Sequence, residues 1–126
     1  MSTKLDLVQL TDVFAQDSRV VLAVLFGSAK DGTVRQGSDV DIGVLLSPAL
    51  SPVDFFNFYV EMTSRLNSIG ELELVDLNHA GSVLAFEALS GRRLFVRDPD
   101  AVAAFSSQVA RQYESDMLHA GIGHAA

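Results

Sequence analysis

Two carboxylates stand two residues apart in Asp39-Val40-Asp41, at the head of an apolar run. On a strand, residues i and i+2 leave the same face, so both acids present their oxygens together. Such a pair repels itself unless a cation lies between, and hard oxygen donors of this kind suit Mg²⁺. A third acid from a neighbouring strand would complete a site for two metals roughly 3.5–4 Å apart, the separation used for in-line phosphoryl displacement. Upstream of Asp39, with ten residues between, Gly27-Ser28 closes another apolar run. Glycine lets the backbone approach a ligand closely, and serine offers a hydroxyl and an amide donor. Free N–H groups at such a turn make a place for phosphate. Taken alone, Asp-x-Asp is more often a solvated strand face, and Gly-Ser is more often a plain turn. The specific signal is their order, with Gly-Ser ending one apolar strand and Asp-x-Asp opening the next.

The elements that must position these residues follow from the apolar periodicity. Leu7, Leu10, Val13 and Phe14 fall at helical spacing and predict a helix over 5–16. Residues 19–26 form a β-branched-rich run without polar alternation, which predicts a strand buried on both faces. Residues 27–38 hold three glycines and read as loop. A second strand is expected over 39–46, ended by Ser47-Pro48. Ser51-Pro52 predicts an N-cap and first helical residue, with the helix running to about Asn67. Then come a strand over 71–77, a helix over 82–89 stopped by Gly91, and a strand over 92–97. A last helix is capped by Asp98-Pro99 and runs to about His119, with a frayed tail from Gly121. This order predicts an α/β or α+β fold, a small sheet with helices packed on it and its catalytic face uncovered.

The 126 residues suffice for one core, so a single domain over 1–126 is expected. Nearly half the residues are apolar and a fifth charged, which is a globular composition. There is no cysteine, so disulfides and thiolate zinc sites are excluded. The first residues lack the pattern of a signal peptide, and the apolar run at 20–26 is far too short to cross a bilayer. A cytoplasmic, membrane-free protein is expected. The net charge of −7 would repel a nucleic-acid backbone, so no direct nucleic-acid binding is expected. The same charge suits a basic protein partner or a carboxylate metal site.

Gly27-Ser28-x₁₀-Asp39-x-Asp41 resembles the signature of the DNA polymerase β-type nucleotidyltransferase superfamily, and Ser38-Asp39-Val40-Asp41-Ile42 matches its usual form. The small size, with Leu74-Val75-Asp76-Leu77-Asn78 and Phe86-Glu87-Ala88-Leu89 through Gly91-Arg92-Arg93-Leu94-Phe95, is similar to the minimal nucleotidyltransferases. Among these it most resembles the MntA antitoxins that are paired with HEPN-domain HepT toxins. The resemblance implies a polymerase β-like palm fold. It implies that Gly27, Ser28 and Ser38 contact the triphosphate of ATP and that Asp39 and Asp41 hold Mg²⁺, two ions in all. The family's third acid overlays Glu73, whereas Asp76 falls on the opposite face by strand alternation. Catalytic and metal residues are thus Asp39, Asp41 and Glu73. Two positions depart from the family pattern. Glu stands at 73 in place of Asp, and Asp31, beside Lys30, stands where the family often carries a base.

The remaining candidates carry less. His79, His119 and His124 do not make a metal cluster by spacing, although His79 follows the third strand near the expected site and could touch substrate. Arg92-Arg93 reads as a strand-edge charge pair or a phosphate hold. Of Phe55, Phe56, Phe58 and Tyr59, most are expected in the core and one or two toward a partner. Tyr113 and residues 114–116 read as an ordinary solvated helix face. The implied activity is transfer of AMP from ATP to a tyrosine of a HEPN-type toxin, with the two proteins forming a hetero-oligomer. Two alternatives stay open. One is an antitoxin that works by binding alone. The other is a small-molecule (aminoglycoside-type) nucleotidyltransferase, for whose usual extra domain this chain has little room.

Overall fold

The computed structural model describes residues 2–66 and 69–120. In chain order its elements are β1 (Ser2–Lys4), α1 (Leu7–Ala15), β2 (Val20–Phe26), β3 (Thr33–Arg35), β4 (Val40–Leu46), α2 (Pro52–Arg65), β5 (Leu72–Asp76), α3 (Ser82–Leu89), β6 (Arg92–Val96) and α4 (Pro99–His119). Four strands form one sheet in the order β5-β4-β2-β6, with β4 and β5 parallel and β2 antiparallel to both its neighbours. The architecture is therefore α+β with a mixed sheet, as the element order predicts.

The two inner strands, β2 and β4, carry apolar residues on both faces because both faces are covered. On one side Val20, Leu25, Ile42 and Val44 pack against Leu10 and Phe14 of α1 and Phe58 and Met62 of α2. On the other side Leu22, Val24, Phe26, Leu45 and Leu77 pack against Ala85 and Ala88 of α3 and Val102 and Val109 of α4. The expectation of an uncovered catalytic face is corrected here. That face is roofed by α3 and α4, since Val24, Leu45 and Leu77 would otherwise stand in water, and only the end of the sheet beyond Phe26 is left open.

Helix starts follow the capping chemistry in the sequence. Asp6, Ser51 and Asp98 each accept a hydrogen bond from the backbone N–H three residues on, with Pro52 and Pro99 at the first helical position. Each such cap is worth about 1 kcal/mol. Arg97 closes the other end of α1. Its guanidinium donates to the carbonyls of Ala15, Asp17 and Val20, where positive charge is favoured by the helix dipole. Of the aromatic group on α2, Phe58 is buried, Phe55 and Tyr59 are half-buried, and Phe56 stands 65% exposed.

Residues 27–38 are more ordered than a loop. Gly27–Ala29 form one 3₁₀ turn, and β3 pairs antiparallel with β1, Ser2 opposite Arg35. Three-residue strands are too short to leave a periodic signal. The expected helix end near Asn67 and the tail from Gly121, His124 included, lie outside the described residues.

Candidate active site

The register of the sheet brings the acids together. On the parallel pair, Asp41 lies directly beside Glu73. On the antiparallel pair, Asp41 lies opposite Phe26, the last residue of β2. Adjacent strands are about 4.8 Å apart, so Asp41 and Glu73 project side by side from the same face. That face is the one covered further along by α3 and α4, as Leu45 in β4 and Leu77 just past β5, each four residues on, show. Asp39 precedes β4 by one residue and is exposed at its mouth.

Electrostatics mark Asp41 as the centre of the group. Its carboxyl is pushed up to about 6, first by burial, then by the Glu73 carboxyl within hydrogen-bonding reach, and then by the charges of Glu73, Asp39 and Glu87. Like charges crowded at the end of a sheet are what a cation would relieve. Glu87, on α3, carries no distinguishing spacing in the sequence, and only the packing of α3 over the sheet brings it close.

Gly27 sits against this group. Its φ is +73°, and a Cβ built on it would stand 2.2 Å from Asp41 Oδ2. The Gly-Ser turn therefore lies directly over the carboxylate, as close as a backbone can come. Ser28 is exposed, and its carbonyl accepts a hydrogen bond from Arg35 (2.9 Å). Ser38 is half-buried, and its amide donates to the Arg35 carbonyl (2.9 Å), closing the turn that delivers Asp39.

Two grooves flank the carboxylates. One, of about 620 Å³, opens at Asp39 and Ser38 between Arg35 and Glu71. The other, of about 510 Å³, opens at Gly27 and is lined by Phe26, Lys30, Phe86, Glu87 and Tyr113. Among the described residues, no three Asp, Glu or His side chains close on one common point. The donor set still fits Mg²⁺, because its oxygens are hard, Asp41 and Glu73 share one face, and the like charge crowded around Asp41 is what a divalent cation would relieve.

The other candidates fall away from the acids. Asp31 caps the turn before β3, accepting from the Thr33 amide (2.9 Å) and pairing with Arg35 (3.5 Å), so its charge is already engaged. The Thr33 amide foremost holds its carboxyl below the ordinary range. His79 is corrected: it lies at the far end of the sheet. β5 runs from Leu72 at the acidic end to Asp76, and His79 pairs with Asp76 there (2.8 Å). Asp76 also accepts from the Asn78 amide (3.0 Å) and serves the turn. Arg92 and Arg93 are exposed on β6, an edge strand, as expected. Tyr113 is not plain solvated surface. It stacks on Phe86, with ring centroids 4.2 Å apart and planes at 13°. Asp116, one turn further, accepts from the Ser82 hydroxyl and from Gln112.

Comparison with known proteins follows the same lines. Residues 8–100 match the family described as "Polymerase beta, Nucleotidyltransferase". Over 83 residues the chain is 32% identical to the protein adenylyltransferase MntA of Shewanella oneidensis, an alignment covering 65% of this chain and 58% of that protein. The chain thus spans a little over half the length of that curated relative. A toxin–antitoxin solved with AMP-PNP has a similar fold, with a TM-score of 0.75 at 24% identity over 91% of this chain and 92% of that one. So does the complex of a tri-AMPylated Shewanella oneidensis HEPN toxin with its MNT antitoxin, with a TM-score of 0.68 at 21% identity over 90% and 87%. No helix among the described residues is long and apolar enough to cross a membrane.

Proposed function

This chain belongs to the polymerase β nucleotidyltransferase family, and from that premise we propose that it transfers AMP from ATP, with Mg²⁺, to a tyrosine of a cognate HEPN-type toxin and thereby acts as its antitoxin. The observation that carries this reading is the contact of Gly27 with Asp41, which itself stands in register with Glu73. A phosphate on the Gly-Ser turn would lie over the carboxylates, where displacement at phosphorus needs charge to be neutralised.

In the proposed reaction the tyrosine oxygen attacks the α-phosphorus of ATP. A P–O bond forms there, the bond from the α-phosphorus to the bridging oxygen breaks, pyrophosphate leaves, and the phenol proton is released to solvent. Asp39, Asp41 and Glu73 would hold the metal. Mg²⁺, when bound, would neutralise charge on the phosphate oxygens and favour the ionised acceptor. Gly27, Ser28 and Ser38 would orient the triphosphate so that the leaving group lies in line with the acceptor. The protein would work in the cytoplasm, where ATP and such a toxin meet, as part of a hetero-oligomer with the toxin. The relative named a protein adenylyltransferase and the AMPylated toxin complex support this reading by similarity.

Intact-mass measurement of the co-expressed HEPN partner tests it. The expected result is a gain of one or more AMP units, lost when Asp39→Asn and Asp41→Asn are combined. A second reading, neutralisation by binding alone, is favoured by one observation: the three acids do not close on a common point among the described residues. A tight complex with no mass gain, in which the double variant still protects cells, would support that reading instead.

A further inference from the structure

The groove that begins at Gly27 has an unusual wall. Phe86 and Tyr113 come from different helices, 27 positions apart in the chain, yet their rings lie parallel and in contact. Two devices hold them there. The Ser82 hydroxyl donates to Asp116, which ties the start of α3 to the last turns of α4 and sets Tyr113 above Phe86. At the other end of α3, a Cβ on Gly91 would stand 2.3 Å from the Leu25 carbonyl and 2.8 Å from Phe26 Cβ. Glycine there lets the end of α3 press against the end of β2, and so keeps the ring pair beside the Gly-Ser turn. The shelf is also open, since Phe86 remains 39% exposed.

We infer that the Phe86–Tyr113 shelf is the platform on which the base of the nucleoside triphosphate stacks. This rests on the nucleotidyltransferase reading above and adds what selects a nucleotide over a bare polyphosphate. The groove starts at the phosphate turn, so whatever continues from the phosphates enters it. Lys30, at its rim, has no carboxylate within ion-pair distance among the described residues, which leaves it free to meet phosphate charge. A flat aromatic ring on an open two-ring stack gains dispersion and covers apolar surface. Glu87 and Ser90 stand at the edge of the same groove, placed to meet polar atoms at a base's rim. The groove on the Asp39 side has no aromatic ring in its wall among the described residues, and its Arg35 is already engaged with Ser28 and Asp31. That side is left to the acceptor, whose oxygen must reach the α-phosphorus opposite the leaving pyrophosphate.

Calorimetric titration separates these assignments. A non-hydrolysable ATP analogue and, separately, tripolyphosphate are titrated with Mg²⁺ into the wild type, Phe86→Ala, Phe86→Leu and Tyr113→Phe. Circular dichroism confirms each fold, and Phe86→Leu keeps apolar bulk where Phe86→Ala proves unstable. Loss of the ring should weaken the analogue roughly 5- to 150-fold, the range of base–aromatic stacking. Tyr113→Phe keeps both rings, so its loss of affinity for the analogue should be smaller than that of Phe86→Ala, and tripolyphosphate affinity should not move in any variant. Equal affinity of the Phe86 variants and the wild type for the analogue would overturn the shelf and leave the transferase reading standing. If transfer to the toxin fell in those same variants, the shelf would belong to the acceptor. Wild-type protein that bound neither probe would overturn the transferase reading and the shelf with it.

Discussion

Gly27 and Asp41 are packed so that a single added carbon on Gly27 would lie 2.2 Å from Asp41 Oδ2. The constraint is double, because φ at Gly27 is +73°, a conformation that costs a residue with a Cβ about 1–2 kcal/mol. Gly27→Ala must therefore displace either the turn or the carboxylate. The expected outcome is a chain that folds with a lower melting temperature and has lost nearly all transfer. Thermal melting beside a labelled-ATP assay checks it. Full activity in Gly27→Ala would show that the turn can move away without consequence.

The three acids and Asp76 should separate cleanly. Asp39→Asn with Asp41→Asn, and Glu73→Gln alone, should cut transfer by at least about a thousandfold, the worth of several kcal/mol of charge stabilisation. Asp76→Asn should leave transfer intact, since Asp76 holds only the Asn78 amide and His79 at the far end of β5. Its loss should cost about 1 kcal/mol of stability, the worth of a typical hydrogen bond. Single-turnover rates and denaturant midpoints on the four proteins decide between this assignment and one with the strand register shifted.

Much of this arrangement is legible in the sequence, and the reason is covalent proximity. Asp39, Asp41 and Ser38 share one strand entry, and Gly27-Ser28 ends the run at 20–26, so two short segments carry most of the site. Glu73 comes from the family resemblance, and strand alternation adds that Asp76 faces the other way. Asn78, whose side chain exchanges two hydrogen bonds with the Leu46 backbone and so extends the edge of β4, leaves no such mark. Nor do Glu87, Phe86 and Tyr113. Their roles depend on how α3 and α4 roof the sheet: Phe86 and Glu87 sit in a segment similar to the family without a role attached, and Tyr113 reads as an ordinary solvated face. His79 fails for the opposite reason. It lies close along the chain to Glu73, but a strand of about 3.3 Å per residue carries it away from the acids.

Asp41 makes the metal-free protein sensitive to pH in an unusual direction. Its carboxyl is pushed up to about 6 from 3.8 in the folded chain, so the folded state holds the proton more tightly than the unfolded one. The stability this contributes is fully present below about pH 4 and is lost as pH rises through 6. Between pH 7.5 and 5, melting in EDTA should therefore rise as pH falls. Asp41→Asn should flatten that slope and raise the melting temperature at pH 7.5, while abolishing transfer. Saturating Mg²⁺ should flatten the slope of the wild type as well. A wild-type melting temperature that falls steadily from pH 7.5 to 5 in EDTA would contradict the crowding of charge at Asp41.

Gly91 gives a last prediction, because it fixes the nucleotide groove without touching its contents. A methyl group there would meet the Leu25 carbonyl at 2.3 Å and the Ala88 carbonyl at 3.1 Å, both backbone atoms that cannot swing aside. Gly91→Ala must push the end of α3 away from the end of β2, a form of overpacking that costs about 1–3 kcal/mol. The shift moves Phe86 and Glu87 relative to Gly27 and leaves Asp41 and Glu73 on their strands. Its signature should be a raised KM for ATP with a smaller change in kcat, together with earlier unfolding in denaturant. A loss confined to kcat, with ATP affinity unchanged, would mean that the α3 end positions the acceptor and not the nucleotide.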